Sequence, residues 1–243
     1  MPAIYEPRGK AFEYSPLALN LYKGCAHACA YCFAPSATFT ERAKFSQKSY
    51  IRPRPGILGE LEKDAQKFSG DQREILLSFT SDPYQPCEEK HGITRKALEI
   101  LKANSLRPTI LTKAGVLAQR DFDILSTIPG AAFAVTLTSD SEVESAEWEP
   151  QAGKPCERID SLKKAHEAGI KTWVSFEPVI NPDAALRLVE QIYPFVDLFK
   201  VGKLNYHAHS KTIDWPAFRE SITTLLDKIG KPYIIKKDLL AAK

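Results

Sequence analysis

Cysteines and long hydrophobic runs are scarce in this sequence, and each scarcity excludes a class of protein. The chain of 243 residues has five cysteines, and three of them are bunched, which excludes an ordinary disulfide framework. No apolar run approaches the roughly 20 residues of a membrane-spanning helix, so we expect no association with a membrane. A secretory signal is also missing at the N-terminus, so we expect a cytoplasmic protein with reduced thiols.

A large excess of either charge is absent as well. The formal net charge is only +3, which is too small to predict nucleic-acid binding. Positive charge concentrates in one segment, residues 42–54, which contains Lys44, Lys48, Arg52 and Arg54. Surface lysines and arginines often cluster without a phosphate partner, so this segment is only a weak indication of one.

Short β-branched runs alternate with longer amphipathic stretches along most of the chain. The predicted strands are 17–22, 75–82, 108–115, 131–139, 171–179 and 198–205, and the predicted helices are 56–69, 90–103, 118–128, 155–168, 182–193 and 215–228. This alternation predicts an α/β fold with a parallel sheet covered by helices. Six units are too few for a closed eightfold barrel, which leaves a partial (β/α)₆ barrel or a doubly wound sheet. We expect residues 1–243 to form one domain.

Polar and ionisable residues follow the predicted strands. The segments are TSDPYQP, TKAG, TLTSDSE, FEPVINP and KLNYHAHS. In both candidate folds the ligand site lies at the carboxyl ends of the strands. We therefore expect these segments to surround one opening, which we call the mouth.

The stretch GCAHACAYCF, residues 24–33, contains Cys25, Cys29 and Cys32. We call this stretch the cysteine loop. Structural zinc needs four ligands, and His27 is a candidate fourth, although zinc motifs normally consist of two separated ligand pairs. Iron-sulfur cubes are usually held by four cysteines, so three would leave one iron open. A small zinc-dependent nucleic-acid-binding module, with residues 42–54 facing phosphate, is therefore the alternative to a cluster enzyme.

The cysteine loop resembles the C-x3-C-x-aromatic-C signature of the radical S-adenosylmethionine (SAM) superfamily, with Tyr31 at the aromatic position. The resemblance implies a partial (β/α)₆ barrel and a [4Fe-4S] cluster on Cys25, Cys29 and Cys32, with SAM on the open iron. It also implies an external one-electron reductant, such as flavodoxin or ferredoxin. The reductive cleavage of SAM would yield a 5′-deoxyadenosyl radical that abstracts hydrogen from a substrate.

Within that superfamily, the motifs FTSDPYQP, LTKAG and TLTSDSE resemble the spore photoproduct lyase-like branch. The resemblance implies that Ser81 and Lys113 contact SAM, and it includes Asp82 among the cofactor-binding residues. It also implies a substrate that is a nucleobase, a nucleotide or a nucleic acid. A lysine ammonium facing the carboxylate of SAM agrees with this role.

Strand periodicity extends this set of candidates. Alternation along 131–139 puts Thr136 and Thr138 on the face that lines the barrel if Val135 and Leu137 face the helices. We expect both threonines to bind the cofactor, with Ser139 as a neighbour.

Glu177 ends the fifth predicted strand among apolar residues, where a carboxylate needs a polar partner. A ribose hydroxyl of the cofactor would place Glu177 in the cofactor site, and Lys203 is the alternative partner.

Two positions depart from the lyase pattern. Spore photoproduct lyases have a cysteine just before the T-S-D motif and a tyrosine just after the third cluster cysteine, where this chain has Phe79 and Phe33. Neither phenylalanine offers a suitable hydrogen, so we do not expect thymine-dimer repair. Cys87 is a candidate substitute donor. We also expect either an open mouth that admits a large substrate or a partner protein that closes it.

Overall fold

The fold is built on an eight-stranded, mostly parallel sheet, described here for residues 2–242 from a computed structural model. The strands are β1 (Ile4–Tyr5), β2 (Leu17–Leu19), β3 (Tyr22–Lys23), β4 (Arg52–Pro53), β5 (Glu74–Leu77), β6 (Arg107–Thr112), β7 (Ala132–Thr136), β8 (Lys171–Val179), β9 (Leu198–Lys203) and β10 (Tyr233–Ile235). The order in the sheet is β1-β2-β5-β6-β7-β8-β9-β10, and β3 pairs with β4 separately. Only β1 runs antiparallel to its neighbour in the large sheet.

Helices connect the parallel strands. They are α1 (Ala34–Ala37), α2 (Arg42–Phe45), α3 (Ile57–Lys67), α4 (Cys87–His91), α5 (Ile93–Ala103), α6 (Phe122–Leu125), α7 (Glu142–Trp148), α8 (Pro155–Glu167), α9 (Pro182–Ile192), α10 (Trp215–Lys228) and α11 (Lys237–Leu240), with 3₁₀ helices at Gly9–Glu13, Gly115–Asp121, Tyr193–Phe195 and Ala208–Thr212. Local chemistry sets several boundaries. Asn181 caps α9 by accepting a hydrogen bond from the Ala184 amide at 3.1 Å, and Pro182 occupies the first helical turn.

The predicted partial barrel is confirmed. From β2 to β10 the strands of the large sheet follow chain order. A doubly wound sheet, by contrast, reverses its strand order at a switch point. All six predicted strands are present, although only β8 ends where predicted. The strands β2, β5, β6, β7 and β9 end earlier, because the residues after them leave the ladder. The helix predicted at 118–128 is a 3₁₀ helix followed by one α-helical turn.

The two faces of the sheet have different environments. On β7, Phe133 and Val135 pack into the large core beneath the helices, whereas Ala132 and Ala134 belong to a small cluster inside the barrel. Thr136 continues the inner face, as its alternation predicts. The barrel interior therefore changes from apolar side chains to polar ones toward the mouth.

A membrane span is not found in the part of the chain that the structure describes, because none of its helices is both long enough and apolar enough.

Candidate active site at the carboxyl ends of the strands

A glycine turn starts the cysteine loop. Gly24 has a φ of 70°, and a Cβ atom built on it would lie 2.7 Å from the carbonyl oxygen of Phe45. Only glycine fits there without displacement. The next amide, that of Cys25, donates to the same Phe45 oxygen at 3.2 Å. This contact fixes the loop against α2.

The three loop cysteines line one cavity of about 220 Å³. The cavity is lined by no histidine and no fourth cysteine; its other walls include Arg42 and Phe45. Arg42 donates to the carbonyl oxygens of Cys29 at 3.0 Å and Cys32 at 2.7 Å, which holds the loop around the cavity. The donor set is therefore three thiols with space between them, which fits a multi-iron cluster with one open iron.

Burial and mutual repulsion control the protonation of these thiols. Burial raises the pKa of Cys25, and the negative charges of Asp82 and Cys29 raise it further. Burial also raises the pKa of Cys29 to about 12, although Lys113 opposes this shift. The free thiols of Cys25 and Cys29 are therefore protonated near neutral pH. Metal binding must displace their protons, as it does for cysteine ligands in general.

The zinc ligand set proposed as the alternative is not formed. Within residues 2–242, no three or more His, Cys, Asp or Glu side chains are grouped closely enough to hold a single metal ion. The candidate fourth ligand, His27, is buried with its Nδ1 3.4 Å from Asp82 Oδ2. Burial lowers the pKa of His27, so the ring is neutral near pH 7 and serves as a partner for this carboxylate.

Asp82 connects the ends of β5 and β6. Its Oδ1 accepts hydrogen bonds from the Tyr84 amide at 2.8 Å and the Thr112 hydroxyl at 2.7 Å, and its Oδ2 accepts one from the Lys113 amide at 2.8 Å. The carboxylate is thus occupied by protein donors. Asp82, predicted as a cofactor ligand, lies in the site as an organiser of the Lys113 backbone.

Gln85, which the sequence interpretation missed, continues this motif toward the cysteine loop. The fully buried side chain accepts from the Ala26 amide at 2.9 Å and donates to the Gly24 carbonyl at 3.2 Å. Its position in the TSDPYQP segment was a usable signal, because that segment was already predicted to lie at the mouth.

Two hydroxyls predicted to bind the cofactor are buried without partners. Ser81 Oγ and Thr138 Oγ1 have no hydrogen-bond partner among the described residues. Buried hydroxyls are normally hydrogen-bonded, and exceptions require an explanation. A polar ligand at the mouth would satisfy both. Ser139 differs, because its hydroxyl donates to Glu144 and accepts from the Ser141 amide at 3.0 Å.

Lys113 lies beside the cysteine loop, with its Nζ 5.7 Å from the centre of the Tyr31 ring. Burial lowers the pKa of Lys113, but the electrostatic effects of Cys29, Glu149 and Asp82 outweigh burial, so the pKa is raised overall. The side chain therefore stays cationic at neutral pH. It is placed to attract a carboxylate next to the cysteines.

A buried ion pair supports Tyr31. The Tyr31 hydroxyl donates to Glu149, and Arg158 Nη1 lies 2.5 Å from the other Glu149 oxygen. Arg158 also donates to the Thr136 carbonyl at 2.9 Å. The sequence interpretation missed both charged residues, because Glu149 lies at the end of a helix that was not predicted and neither belongs to a recognisable motif.

Glu177 and Cys87 do not line the cavity of the cysteine loop. Glu177 accepts a hydrogen bond from the Tyr14 hydroxyl, and its Oε2 is 3.9 Å from Lys236 Nζ. The alternative partner, Lys203, instead lies 5.7 Å from the centre of the Trp215 ring, so the Glu177–Lys203 pairing is wrong. Cys87 begins α4, half-buried against the core and outside the cavity of the cysteine loop, and burial raises its pKa to about 11.

Comparison with protein families finds a match that includes this site. The model described as "Radical SAM superfamily" matches residues 19–191, which include the cysteine loop and the ends of β5 to β8. Two curated relatives are uncharacterized proteins. One, from Methanocaldococcus jannaschii, is 28% identical over 195 residues, covering 78% of this chain and 71% of the relative. The other, from Acidianus two-tailed virus, is 29% identical over 175 residues, covering 68% of this chain and 56% of the relative.

Solved structures share the fold at low identity. Streptococcus suis SuiB bound to S-adenosylmethionine matches with a TM-score of 0.65 and 16% identity, covering 90% of this chain and 49% of SuiB. Spore photoproduct lyase complexed with dinucleoside spore photoproduct matches with a TM-score of 0.66 and 15% identity, covering 95% of this chain and 79% of the lyase. The chain thus spans about half of SuiB and of several curated relatives.

Proposed function

The chain belongs to the radical SAM superfamily, and on that premise we propose that Cys25, Cys29 and Cys32 hold a [4Fe-4S] cluster whose open iron binds SAM. The observation that carries the proposal is the cavity lined by three thiols with no fourth sulfur or imidazole. When bound, this cofactor pair supplies a 5′-deoxyadenosyl radical that abstracts hydrogen from the substrate.

The protein's own residues would bind and orient SAM. Lys113 supplies a cation for the carboxylate of SAM, while Ser81 and Thr138 offer hydroxyls that lack protein partners. Thr136 ends the adjoining strand β7, and Ser139 lies in the segment after it. On the next strand, β8, the inner face extends to Glu177. Lys113 Nζ lies over the Tyr31 ring, and Glu149 accepts a hydrogen bond from the Tyr31 hydroxyl. We assign these roles as proposals, because each rests on position and chemistry.

The substrate class is a second step of the proposal. We propose a nucleobase, nucleotide or nucleic acid, on the basis of the FTSDPYQP, LTKAG and TLTSDSE motifs and of the lyase whose structure contains a dinucleoside spore photoproduct. SuiB, which has the same fold, is described as bound to the precursor peptide SuiA. The nucleotide class therefore depends on the motifs rather than on the fold.

Thymine-dimer repair is not part of the proposal. Phe79 occupies the hydrogen-donor position and packs edge-on against Tyr14, with ring centres 6.0 Å apart. Phe33 is largely exposed next to Cys32. Cys87 remains the proposed substitute donor, although substrate would have to reach it outside the cysteine cavity.

We further propose that residues 1–243 work as one radical SAM domain in the cytoplasm. An external one-electron reductant, such as flavodoxin or ferredoxin, would supply the electron. A partner protein that closes the mouth is an alternative to an open mouth for a large substrate.

Replacement of Cys29 by alanine tests the cluster. We expect Cys29→Ala, purified without oxygen and reconstituted with iron and sulfide, to lose brown colour, bound iron and reductive SAM cleavage, because a thiolate ligand is missing. Cys156→Ala is the matched control, since Cys156 is exposed and lies outside the cavity. It should retain all three properties.

Two results would count against the proposal. One is undiminished 5′-deoxyadenosine formation by Cys29→Ala with a circular dichroism spectrum like that of the wild type. The other is wild-type protein that binds one zinc ion per chain and no iron, which would favour the zinc-dependent module.

A further inference from the structure

Two lysines point into the barrel interior away from the cysteine loop. Lys200 on β9 and Lys236 after β10 are 4% and 3% exposed. Lys200 Nζ donates to the Tyr14 carbonyl at 2.9 Å and lies 4.1 Å from the centre of the Trp173 ring. Lys236 Nζ lies 3.3 Å from the centre of the Tyr14 ring. It has no hydrogen-bond partner among the described residues.

The charges of this lysine pair are not balanced. Glu177 Oε2, 3.9 Å from Lys236 Nζ, is the one carboxylate oxygen of residues 2–242 within 4 Å of either ammonium. Glu177 also accepts the Tyr14 hydroxyl, so its charge is shared. The two buried lysines therefore have a single, already engaged carboxylate within 4 Å, and Glu13 and Glu74 act on Lys236 and Lys200 from farther away. Burial of a charge without a partner is costly, and a bound anion removes that cost.

Burial acts on the pKa of both lysines. Burial lowers the pKa of Lys200 to about 8, and the positive charge of Lys236 contributes to this shift. Burial also lowers the pKa of Lys236, although Glu177 opposes the change. A pKa of about 8 leaves most Lys200 side chains protonated at pH 7.

The interior is accessible beside the pair. Asn20, Phe79 and Glu177 lie on the same inner wall, and each is partly exposed. Asn20 Oδ1 accepts from the Phe79 amide at 2.8 Å, and Phe79 contacts Tyr14, which contacts both lysines. A ligand in this part of the interior would therefore contact aromatic surfaces as well as the two lysines.

We propose that Lys200 and Lys236 form an oxyanion-binding subsite in the barrel interior that receives a phosphate or carboxylate group of the substrate. This inference rests on the proposed function and narrows its substrate to an anion. Lysine binds phosphate and carboxylate as a point charge with several donors. Tyr14, Phe79 and Trp173 would pack against the remainder of the substrate.

The lysine proposed to bind the cofactor is not one of this pair. Lys113 is the one coupled to the cysteine thiols. No interaction of Lys200 or Lys236 in the described part of the chain involves residues 24–33. The pair is thus positioned for a second anion rather than for the carboxylate of SAM.

Anion binding by the reconstituted full chain tests the subsite. Inorganic phosphate and acetate are titrated by calorimetry, without oxygen, with SAM saturating and chloride constant. We expect saturable binding of at least one ion, weakened about tenfold or more by Lys200→Met and by Lys236→Met, because each removes a charged hydrogen-bond donor. Lys237→Met is the matched control, since Lys237 is a neighbouring but exposed lysine, and it should bind like the wild type.

The anion that binds more tightly identifies the acidic group of the substrate. Preferential binding of phosphate indicates a phosphorylated substrate, and preferential binding of acetate indicates a carboxylate. Lys200→Arg retains the charge and should retain binding, so it guards against a folding defect in the methionine variant. Absence of binding to wild-type protein, equal binding by folded methionine variants, or displacement of phosphate by SAM would overturn the subsite.

The same samples separate the two proposals. Wild-type protein that cleaves SAM to 5′-deoxyadenosine but binds neither ion would contradict the subsite alone. Wild-type protein that retains no iron and cleaves no SAM would contradict the proposed function, whatever its affinity for phosphate.

Discussion

At the scale of single residues, several buried polar atoms have no partner among residues 2–242. Ser81 Oγ and Thr138 Oγ1 belong to segments that follow strands of the barrel, and Lys236 Nζ lies in its interior. The other such atoms are on Ser78, Arg107, Thr109 and Arg158. An ordinary core satisfies almost all such atoms. A polar ligand at Ser81, Thr138 and Lys236 would satisfy these atoms, which agrees with the proposed function.

The charge of the buried residue Glu149 can be tested by substitution. It is buried with Arg158, which keeps one nitrogen, Nη2, without a partner even when the pair is intact. We expect Glu149→Gln to lower the free energy of unfolding by about 3–5 kcal/mol, because it leaves a buried guanidinium without a counter-charge. Urea denaturation of the apo protein at neutral pH measures this change.

Glu147→Gln is the matched control for that substitution. Glu147 is exposed on the same helix, α7, so its replacement should change stability by less than about 0.5 kcal/mol. Equal stabilities of the two variants would show that the Glu149–Arg158 pair is solvated in solution. We also expect Glu149→Gln to retain less iron, because Glu149 uses one oxygen for Tyr31 and the other for Arg158, whereas glutamine has only one acceptor oxygen.

At the scale of elements, the segment after α7 braces the cysteine loop. The Ala30 amide donates to the Trp148 carbonyl at 2.8 Å, and the Gln151 amide donates to the His27 carbonyl at 3.3 Å. The Gly153 amide donates to the Lys113 carbonyl at 2.7 Å. One short segment thus connects the cysteine loop to the end of β6.

Gly153→Ala tests this brace. A Cβ atom on Gly153 would lie 2.7 Å from the Gly115 nitrogen and 2.8 Å from the Ala114 carbonyl carbon. Because both contacts are with backbone, we expect a loss of about 1–3 kcal/mol in unfolding free energy. SAM affinity, measured by equilibrium binding to the reconstituted protein, should fall as well, because Lys113 is displaced.

The control for this substitution is Gly59→Ala in α3. Gly59 has open space at its Cβ position, and alanine should raise the unfolding free energy by about 0.5–1 kcal/mol because it restricts the unfolded chain. If Gly153→Ala shows the same gain and the same SAM affinity as Gly59→Ala, the close contact at Gly153 is not present in solution.

At the scale of the whole molecule, the lysine pair couples stability to pH. The pKa of Lys200 is lowered to about 8 by burial and by Lys236, with Lys171 adding to the shift and Glu74 opposing it. A lysine in the unfolded chain has a pKa of about 10.4. Between these values the unfolded state binds more protons, so the contribution of Lys200 to stability increases as pH rises.

Lys200→Met should remove this contribution. We expect the unfolding free energy of wild-type protein minus that of Lys200→Met to be larger at about pH 9.5 than at about pH 7.5, by an amount on the order of 1 kcal/mol. Chemical denaturation of the apo proteins at both values measures it. A difference that stays constant between these pH values would show that Lys200 titrates like an exposed lysine.

The sequence by itself determined the features that depend on local spacing. The alternation of strands and helices predicted an α/β fold with a parallel sheet, because hydrophobic periodicity is set by each element alone. It left a partial barrel and a doubly wound sheet open, and the resemblance of the cysteine loop favoured the partial barrel. The spacing of Cys25, Cys29 and Cys32 predicted a common ligand site, and alternation on β7 placed Thr136 on the inner face.

Only the tertiary structure decided which distant side chains meet. Tyr31 and Glu149 are 118 residues apart, and Lys200 and Tyr14 are 186 residues apart. No periodicity relates such positions, because their contact depends on how the whole sheet curves and which inner-face residues it brings together. The same reason explains why Glu177 pairs with Tyr14 and Lys236 instead of Lys203, a neighbour predicted from strand order alone.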